Sequence, residues 1–206
     1  MLRMSDGEKR RTLVVVPIIH DEADMGSLGQ KLRAAHAGDW MEHRRRVSEF
    51  WEEIRRALAN LALDYQRVRV YQDGLPCGGE AARRLVNEVA EKGSLNYGIV
   101  EEMLARGATI EQTEDPELLK EEYSLLKQEA NAGTPEQRQE LADAHRERQA
   151  ELLTLRDQFI RQRIAATLQP VEVGVLFIGA LHDVARKLPD DVQVQLLFLA
   201  QPVERV

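Results

Sequence analysis

Short apolar segments alternate along this chain with longer stretches in which apolar residues recur every three or four positions. The short segments are β-branched or alternate between apolar and polar residues, which is typical of strands; they lie at residues 12–19, 67–71, 108–112, 171–178 and 192–199. The first is nearly continuous, as expected for a strand buried on both faces. The second alternates and predicts a strand nearer an edge of the sheet.

The longer stretches predict helices, because their apolar residues would share one helical face. Three of them lie at residues 40–63, 81–90 and 96–106. A further helix is predicted to begin at Asp115-Pro116, where proline at the first turn loses no hydrogen bond. A long helix to about Leu168 is predicted to begin at Thr134-Pro135, with Thr134 as N-cap and Gln137 in the capping-box position.

Strands that alternate with helices predict an α/β fold. We expect a mostly parallel sheet of about five strands with flanking helices, and a long helical hairpin, residues 115–168, inserted before the fourth strand. The length of 206 residues predicts a single domain over residues 1–206. Residues 134–150 contain few large apolar side chains beyond Leu141, which indicates either a solvated helical face or an arm that pairs with a second copy in a homodimer.

Composition narrows the functional classes. The chain is 43% hydrophobic and 31% charged, as a globular protein is. Its 28 basic and 35 acidic side chains give a net charge of −7, which argues against nucleic-acid binding. No apolar run approaches the roughly 20 residues that span a bilayer, so we expect no membrane partner. Residues 1–11 lack the apolar core of a secretory signal, and the single Cys77 rules out a disulfide within one chain. Together these features predict a cytoplasmic protein.

Polar side chains follow four of the predicted strands. Ligands of open parallel sheets bind beyond the carboxyl ends of the strands, so these side chains are expected to converge; they are His20, Asp21, Glu22, Asp24, Asp73, Glu114, Asp115, His182 and Asp183. Imidazole with carboxylate is a ligand set suited to a divalent ion of zinc, manganese or iron. The same groups could perform acid–base chemistry without a metal, since histidine titrates near neutrality.

Each of these residues also has a simpler structural interpretation. A His-Asp pair at a strand end is often a helix cap, Asp73-Gly74 is a common turn pair, and acids before Pro116 suit the dipole of a helix N-terminus. Arg156, at the border of the apolar face of the long helix, could bind an anion, pair with Asp73 or Asp183, or be a surface charge. The occurrence of two His-Asp strand ends favours a site over separate caps.

Residues 155–160 and 174–188 together resemble the C-terminal signature of the TraB/PrgY/Tiki-like proteins, which group with the erythromycin-esterase and ChaN-like proteins. That signature is an Arg-Asn or Arg-Asp pair on a helix, followed by a strand ending in Gly-x-x-His, here Gly179 to His182. The family also has an earlier Gly-x-x-His, in whose place residues 17–20 supply His20 without the glycine. Asp73 is the candidate for the acidic residue, typically glutamate, that follows an early strand of the family.

The resemblance implies a pocket at the sheet edge built from His20, Asp73, Arg156 and His182. Members of the family include metal-dependent proteases and proposed hydrolases, while others bind haem or have no known activity. Our first hypothesis is therefore a metal-dependent hydrolase of a small-molecule or peptide substrate. His20 and His182 would bind the metal with Asp73 or Glu22 completing the site, and Arg156 would hold a carboxylate or stabilise an oxyanion.

Two other hypotheses remain at this stage. The same edge could hold a small anionic ligand in a non-catalytic binding or signalling module, or the polar residues could all be caps in a structural protein. The charge of the site discriminates between the first two hypotheses. Several carboxylates around the histidines favour a cation, whereas dominance by Arg156 and loop amides favours an anion.

Overall fold

A computed structural model of the chain describes residues 10–19 and 40–197. Within these residues the strands are β1 (Arg11–Pro17), β2 (Val68–Gln72), β3 (Thr109–Glu111), β4 (Val173–Ile178) and β5 (Val192–Leu196). The α-helices are α1 (Trp40–Asn60), α2 (Gly79–Glu91), α3 (Leu95–Ala105), α4 (Pro116–Ala130) and α5 (Pro135–Thr167). Short 3-10 turns at Tyr65–Arg67 and Val184–Lys187 precede β2 and β5.

The five strands form one sheet in the order β3-β2-β4-β1-β5, and every neighbouring pair is parallel. The predicted α/β fold with a parallel sheet of about five strands is therefore confirmed. The two most apolar strands, β1 and β4, lie next to each other near the centre, with Val15 opposite Leu176. The alternating strand β2 lies one place from the edge, between β3 and β4.

Successive side chains of a strand point to opposite faces of the sheet, and helices cover both faces here. In β4, Val175 and Phe177 join the larger apolar cluster, which contains side chains of α1, α2 and α3. Leu176 and Ile178 face the other way and pack with Ile160 of α5. This arrangement brings the second half of α5 against the sheet, with the carboxyl end of β4 close to it.

Helices α4 and α5 form the hairpin expected before β4, joined by residues 131–134. Asp115 caps α4 by accepting from the N–H groups of Glu117 and Leu118, and Thr134 caps α5 by accepting from Gln137 N–H. The two helices are tied by side-chain pairs, among them Arg148 Nε to Glu121 at 2.6 Å. The caps place both helix starts where the sequence predicts them.

Across the parts of the chain described above, we find no helix with the combination of length and apolar character that crossing a membrane requires.

Candidate metal centre

The site begins where β2 and β4 end side by side. Asp73 is the first residue after β2, and its N–H extends the ladder by donating to the carbonyl of Phe177 at 2.9 Å. The first residue after β4 is Gly179, whose N–H donates to Asp73 Oδ2 at 3.1 Å. Parallel pairing of the two strands thus fixes the Asp73 carboxylate across the carboxyl end of β4.

Gly179 allows this close approach because it has no side chain. A Cβ at this position would lie 3.3 Å from Asp73 Oδ2 and 3.7 Å from His182 Cδ2. The carbonyl of Gly179 then accepts from the N–H of His182 at 3.2 Å, which closes a tight turn after the strand. The turn returns the His182 imidazole to the Asp73 carboxylate.

Both nitrogens of the His182 ring face carboxylates. Nδ1 lies 2.5 Å from Asp157 Oδ1, and Nε2 lies 3.5 Å from Asp73 Oδ2. The second oxygen of Asp157 accepts from the N–H of Asp183 at 2.8 Å. Asp157 therefore holds the ring from helix α5, and Nε2 is directed toward the strand ends.

Glu114 reaches the same place from the edge of the sheet. It follows β3, and its N–H and that of Thr113 both donate to the carbonyl of Leu75, which ties this segment to the loop after β2. The side chain is 0% exposed. Burial raises the pKa of Glu114 to about 7, and the neighbouring Asp73 charge acts in the same direction, whereas Arg156 opposes the rise.

Arg156 of α5 connects the acids. Its Nε and Nη2 donate to the two oxygens of Glu114 at 3.1 and 2.7 Å, and Nη2 also donates to Asp73 Oδ1 at 2.8 Å. Its Nη1 donates to both oxygens of Glu122 on α4, at 2.7 and 2.6 Å. Arg156, 6% exposed, is thus the counter-charge of three carboxylates, two after strand ends and one on α4.

One ligand atom each from Asp73, Glu114 and His182 lie within 4.8 Å of one another, so these three residues could hold a metal ion. The surrounding charge agrees with a cation. Asp73, Glu114, Glu122 and Asp157 bring four carboxylates into contact with the single guanidinium and the single imidazole of this cluster. By the charge criterion set out above, the described part of the site favours a cation over an anion.

The structure brings three of the predicted site residues together, since Asp73, Arg156 and His182 are in contact or share a carboxylate. Arg156 pairs with Asp73 and not with Asp183, whose carboxylate instead lies 3.4 Å from Arg186 Nε. His20 and Glu22 lie outside the described residues, and their assignment as metal ligand and catalytic residue stays a prediction.

The interpretation of Glu114-Asp115 as a helix N-terminus holds for Asp115, which caps α4. It does not account for the side chain of Glu114, which precedes the cap and lies buried against Arg156. Its place after the third strand is the signal that puts it among the side chains expected to converge, although it is not one of the predicted ligands. Two other acids of the cluster, Asp157 and Glu122, receive no role in the sequence analysis. Asp157 enters it only as the partner of Arg156 in the family-like Arg-Asp pair, whereas nothing in the sequence distinguishes Glu122 from other acids of α4.

We compared the chain with family models, with curated proteins and with solved structures, and none of the three comparisons finds a match. Fold and site alone therefore define the class: an α/β protein with an all-parallel five-stranded sheet and a buried Asp/Glu/His group, at the carboxyl ends of the strands, that could hold a metal ion.

Proposed function

We propose that the protein is a metal-dependent hydrolase whose metal is held by Asp73, Glu114 and His182. The observation that carries the proposal is the convergence of these three ligand atoms within 4.8 Å at the carboxyl ends of the strands. They come from three separate strand ends, which makes the grouping a property of the whole fold.

The donor set and its spacing suit a divalent transition metal. Two carboxylates and one imidazole are ligands that zinc, manganese and iron accept. Two ligands at about 2.1 Å from a tetrahedral ion lie about 3.4 Å apart, close to the 3.5 Å between His182 Nε2 and Asp73 Oδ2. The pair thus needs little movement to bind one ion.

Hydrolysis is the reaction that such a centre would support, because a divalent ion held by these residues would supply Lewis acidity and would activate water near neutral pH. The protein's own residues would bind the substrate and orient it. Arg156 balances the charge of Asp73 and Glu114. Its Nη1 faces Glu122, which at 24% side-chain exposure is the most accessible of these three carboxylate partners. Nη1 is the donor through which Arg156 would hold a substrate carboxylate or an oxyanion.

The resemblance to the TraB/PrgY/Tiki-like proteins enters as part of this proposal. Its support is that the residues on which it rests are in contact. Arg156, Gly179 and His182 all face Asp73, and Asp157 lies against His182. His20 as a further ligand and Glu22 as a catalytic carboxylate remain predictions of the same proposal, as does a small-molecule or peptide substrate.

The test combines metal content with turnover. Chelator-treated protein is loaded with Zn²⁺ or Mn²⁺, the bound metal is counted, and hydrolysis of chromogenic esters, phosphoesters and peptides is measured. We expect about one equivalent of metal and metal-dependent turnover, both lost in His182→Ala. Asp183→Asn is the matched control, since its side chain is half-exposed and pairs with Arg186, and it should keep both.

Other outcomes overturn the proposal in distinguishable ways. Stoichiometric metal without turnover of any substrate class would indicate the non-catalytic binding module. Absence of bound metal from the folded wild-type protein would reduce the cluster to a structural network of ion pairs.

A further inference from the structure

Asp157 has no role in the ligand set, yet both of its oxygens are engaged at the site. Oδ1 lies 2.5 Å from His182 Nδ1, and Oδ2 accepts from the backbone N–H of Asp183 at 2.8 Å. The side chain is 7% exposed and that of His182 is 5% exposed. The contact is therefore a buried, two-point clamp on the segment that carries the imidazole.

We propose that Asp157 is a positioning residue that fixes the protonation pattern of His182 and presents Nε2 as a metal ligand; this rests on the proposed function. Nδ1 lies 2.5 Å from Asp157, whereas Nε2 lies 3.5 Å from Asp73. Because an ionised carboxylate only accepts hydrogen bonds, the closer contact places the single proton of the neutral ring on Nδ1. Nε2 then keeps its lone pair, on the side that faces Asp73. Carboxylates that hold metal-ligating histidines through the other ring nitrogen serve this purpose in known metal sites.

The same contacts predict what an amide in place of the carboxylate would do. Asparagine has one accepting oxygen and one donating nitrogen, whereas both contacts of Asp157 require an acceptor. With the oxygen retained on Asp183 N–H, the amide nitrogen would face His182 Nδ1 and donate to it. The ring proton would move to Nε2 and block that atom as a ligand.

The direct readout is the tautomer in the metal-free protein, measured by two-dimensional ¹H–¹⁵N NMR of the imidazole ring at a pH where it is neutral. The chain has 5 histidines, so the His182 signals are assigned by their loss in His182→Gln. We expect the Nδ1–H form in the wild type and the Nε2–H form in Asp157→Asn. A purely structural role for Asp157 would not exchange the two nitrogens.

The second readout is affinity for Zn²⁺, by titration calorimetry. We expect Asp157→Asn to bind the ion about 10- to 100-fold more weakly, the usual cost of removing such a partner. Asp183→Asn is the matched control, because it removes an adjacent carboxyl group that lies off the ring and keeps the backbone N–H. It should retain both the Nδ1–H tautomer and the wild-type affinity.

Each outcome decides a separate claim. A wild-type ring protonated on Nε2, or an Asp157→Asn variant with unchanged tautomer or unchanged affinity, overturns the role of Asp157. Wild-type protein that binds no Zn²⁺ overturns the proposed function, while its NMR spectrum still decides whether Asp157 fixes the ring. The wild-type spectrum also decides the tautomer if Asp157→Asn fails to fold.

Discussion

Asp73 and Glu114 share the guanidinium of Arg156 but differ in their other partners. Asp73 has one oxygen on Arg156 and the other on the N–H of Gly179, and it faces His182. Glu114 directs both oxygens to Arg156 and is fully buried. The two carboxylates thus meet different electrostatic conditions within one cluster.

Glu114 should make the stability of the metal-free protein depend on pH. Its folded-state pKa is raised by burial from the ordinary 4.5 to about 7, so between these values the folded chain keeps a proton that the unfolded chain loses. Stability should therefore fall as pH rises through this window, by about 3 kcal/mol. We expect this fall in the difference between the unfolding free energies of the wild type and Glu114→Gln, measured by denaturant titration from pH 4 to 8. A difference that is independent of pH, or that rises, would contradict the assignment.

Gly179 leaves little room for a side chain. A Cβ 3.3 Å from Asp73 Oδ2 requires the carboxylate to shift by a few tenths of an ångström, although Arg156 and the N–H of residue 179 hold it in place. Overpacking of this kind costs about 1–3 kcal/mol. Gly179→Ala should therefore lower the unfolding free energy and weaken Zn²⁺ binding, as measured by thermal denaturation and calorimetry.

Gly98 offers the matched control for this substitution. It lies inside α3, where an added Cβ would have no neighbour within 4 Å. Gly98→Ala should leave the metal affinity unchanged and stabilise the protein by about 0.5–1 kcal/mol. Equal behaviour of the two variants would show that Gly179 is not needed for the position of Asp73.

At the scale of the elements, the hydrophobic pattern predicted all five strands and the helices between them. It succeeded because side chains of this fold are buried with the periods expected of strands and of helices, two and about 3.6 residues. The first strand is buried on both faces, and α5 changes from polar to apolar at the point where it reaches the sheet. The predicted ends differ from the observed ones by a few residues, since the ends depend on caps and neighbouring turns. The order of the strands could not be predicted, because pairing depends on contacts distant in the sequence.

The N-terminus of α4 directly follows Glu114, so the cap of this helix helps to fix the position of Glu114. The Asp115 side chain accepts from two N–H groups of the first turn, and loss of such a cap costs about 1 kcal/mol. Asp115→Ala should destabilise the protein by this amount and speed hydrogen exchange in the first turn of α4. Glu117→Ala, a change at an exposed acid of the same turn, is the control and should have a smaller effect. Equal effects would mean that the cap contributes nothing measurable.

On the scale of the whole molecule, the site follows from the parallel sheet. Asp73, Glu114 and His182 are separated by up to 109 residues, and each follows a different strand. The rule for parallel sheets predicts their convergence, and for Asp73 and His182 the sequence prediction agrees with the structure. Glu114 was included in that convergence but not among the predicted ligands, because an acid before a helix is ordinary. In the structure its segment is tied to Leu75 and its side chain to Arg156.

The predicted homodimer is a separate hypothesis about the hairpin of α4 and α5. If the hairpin pairs with a second copy, light scattering after size-exclusion chromatography should give twice the mass of one chain. A variant whose residues 121–149 are replaced by a short linker should give the mass of a single chain. A wild-type protein of single-chain mass at concentrations of tens of micromolar would show that the prediction is wrong.

The central claim is that Asp73, Glu114 and His182 bind one divalent metal ion. Crystals grown with one equivalent of Zn²⁺ and measured at the zinc absorption edge test it most directly, through the anomalous difference map. We predict one dominant peak within about 2.0–2.2 Å of His182 Nε2 and of a carboxylate oxygen from both Asp73 and Glu114. A map with no peak between these side chains, while Arg156 retains both carboxylates, would contradict the claim.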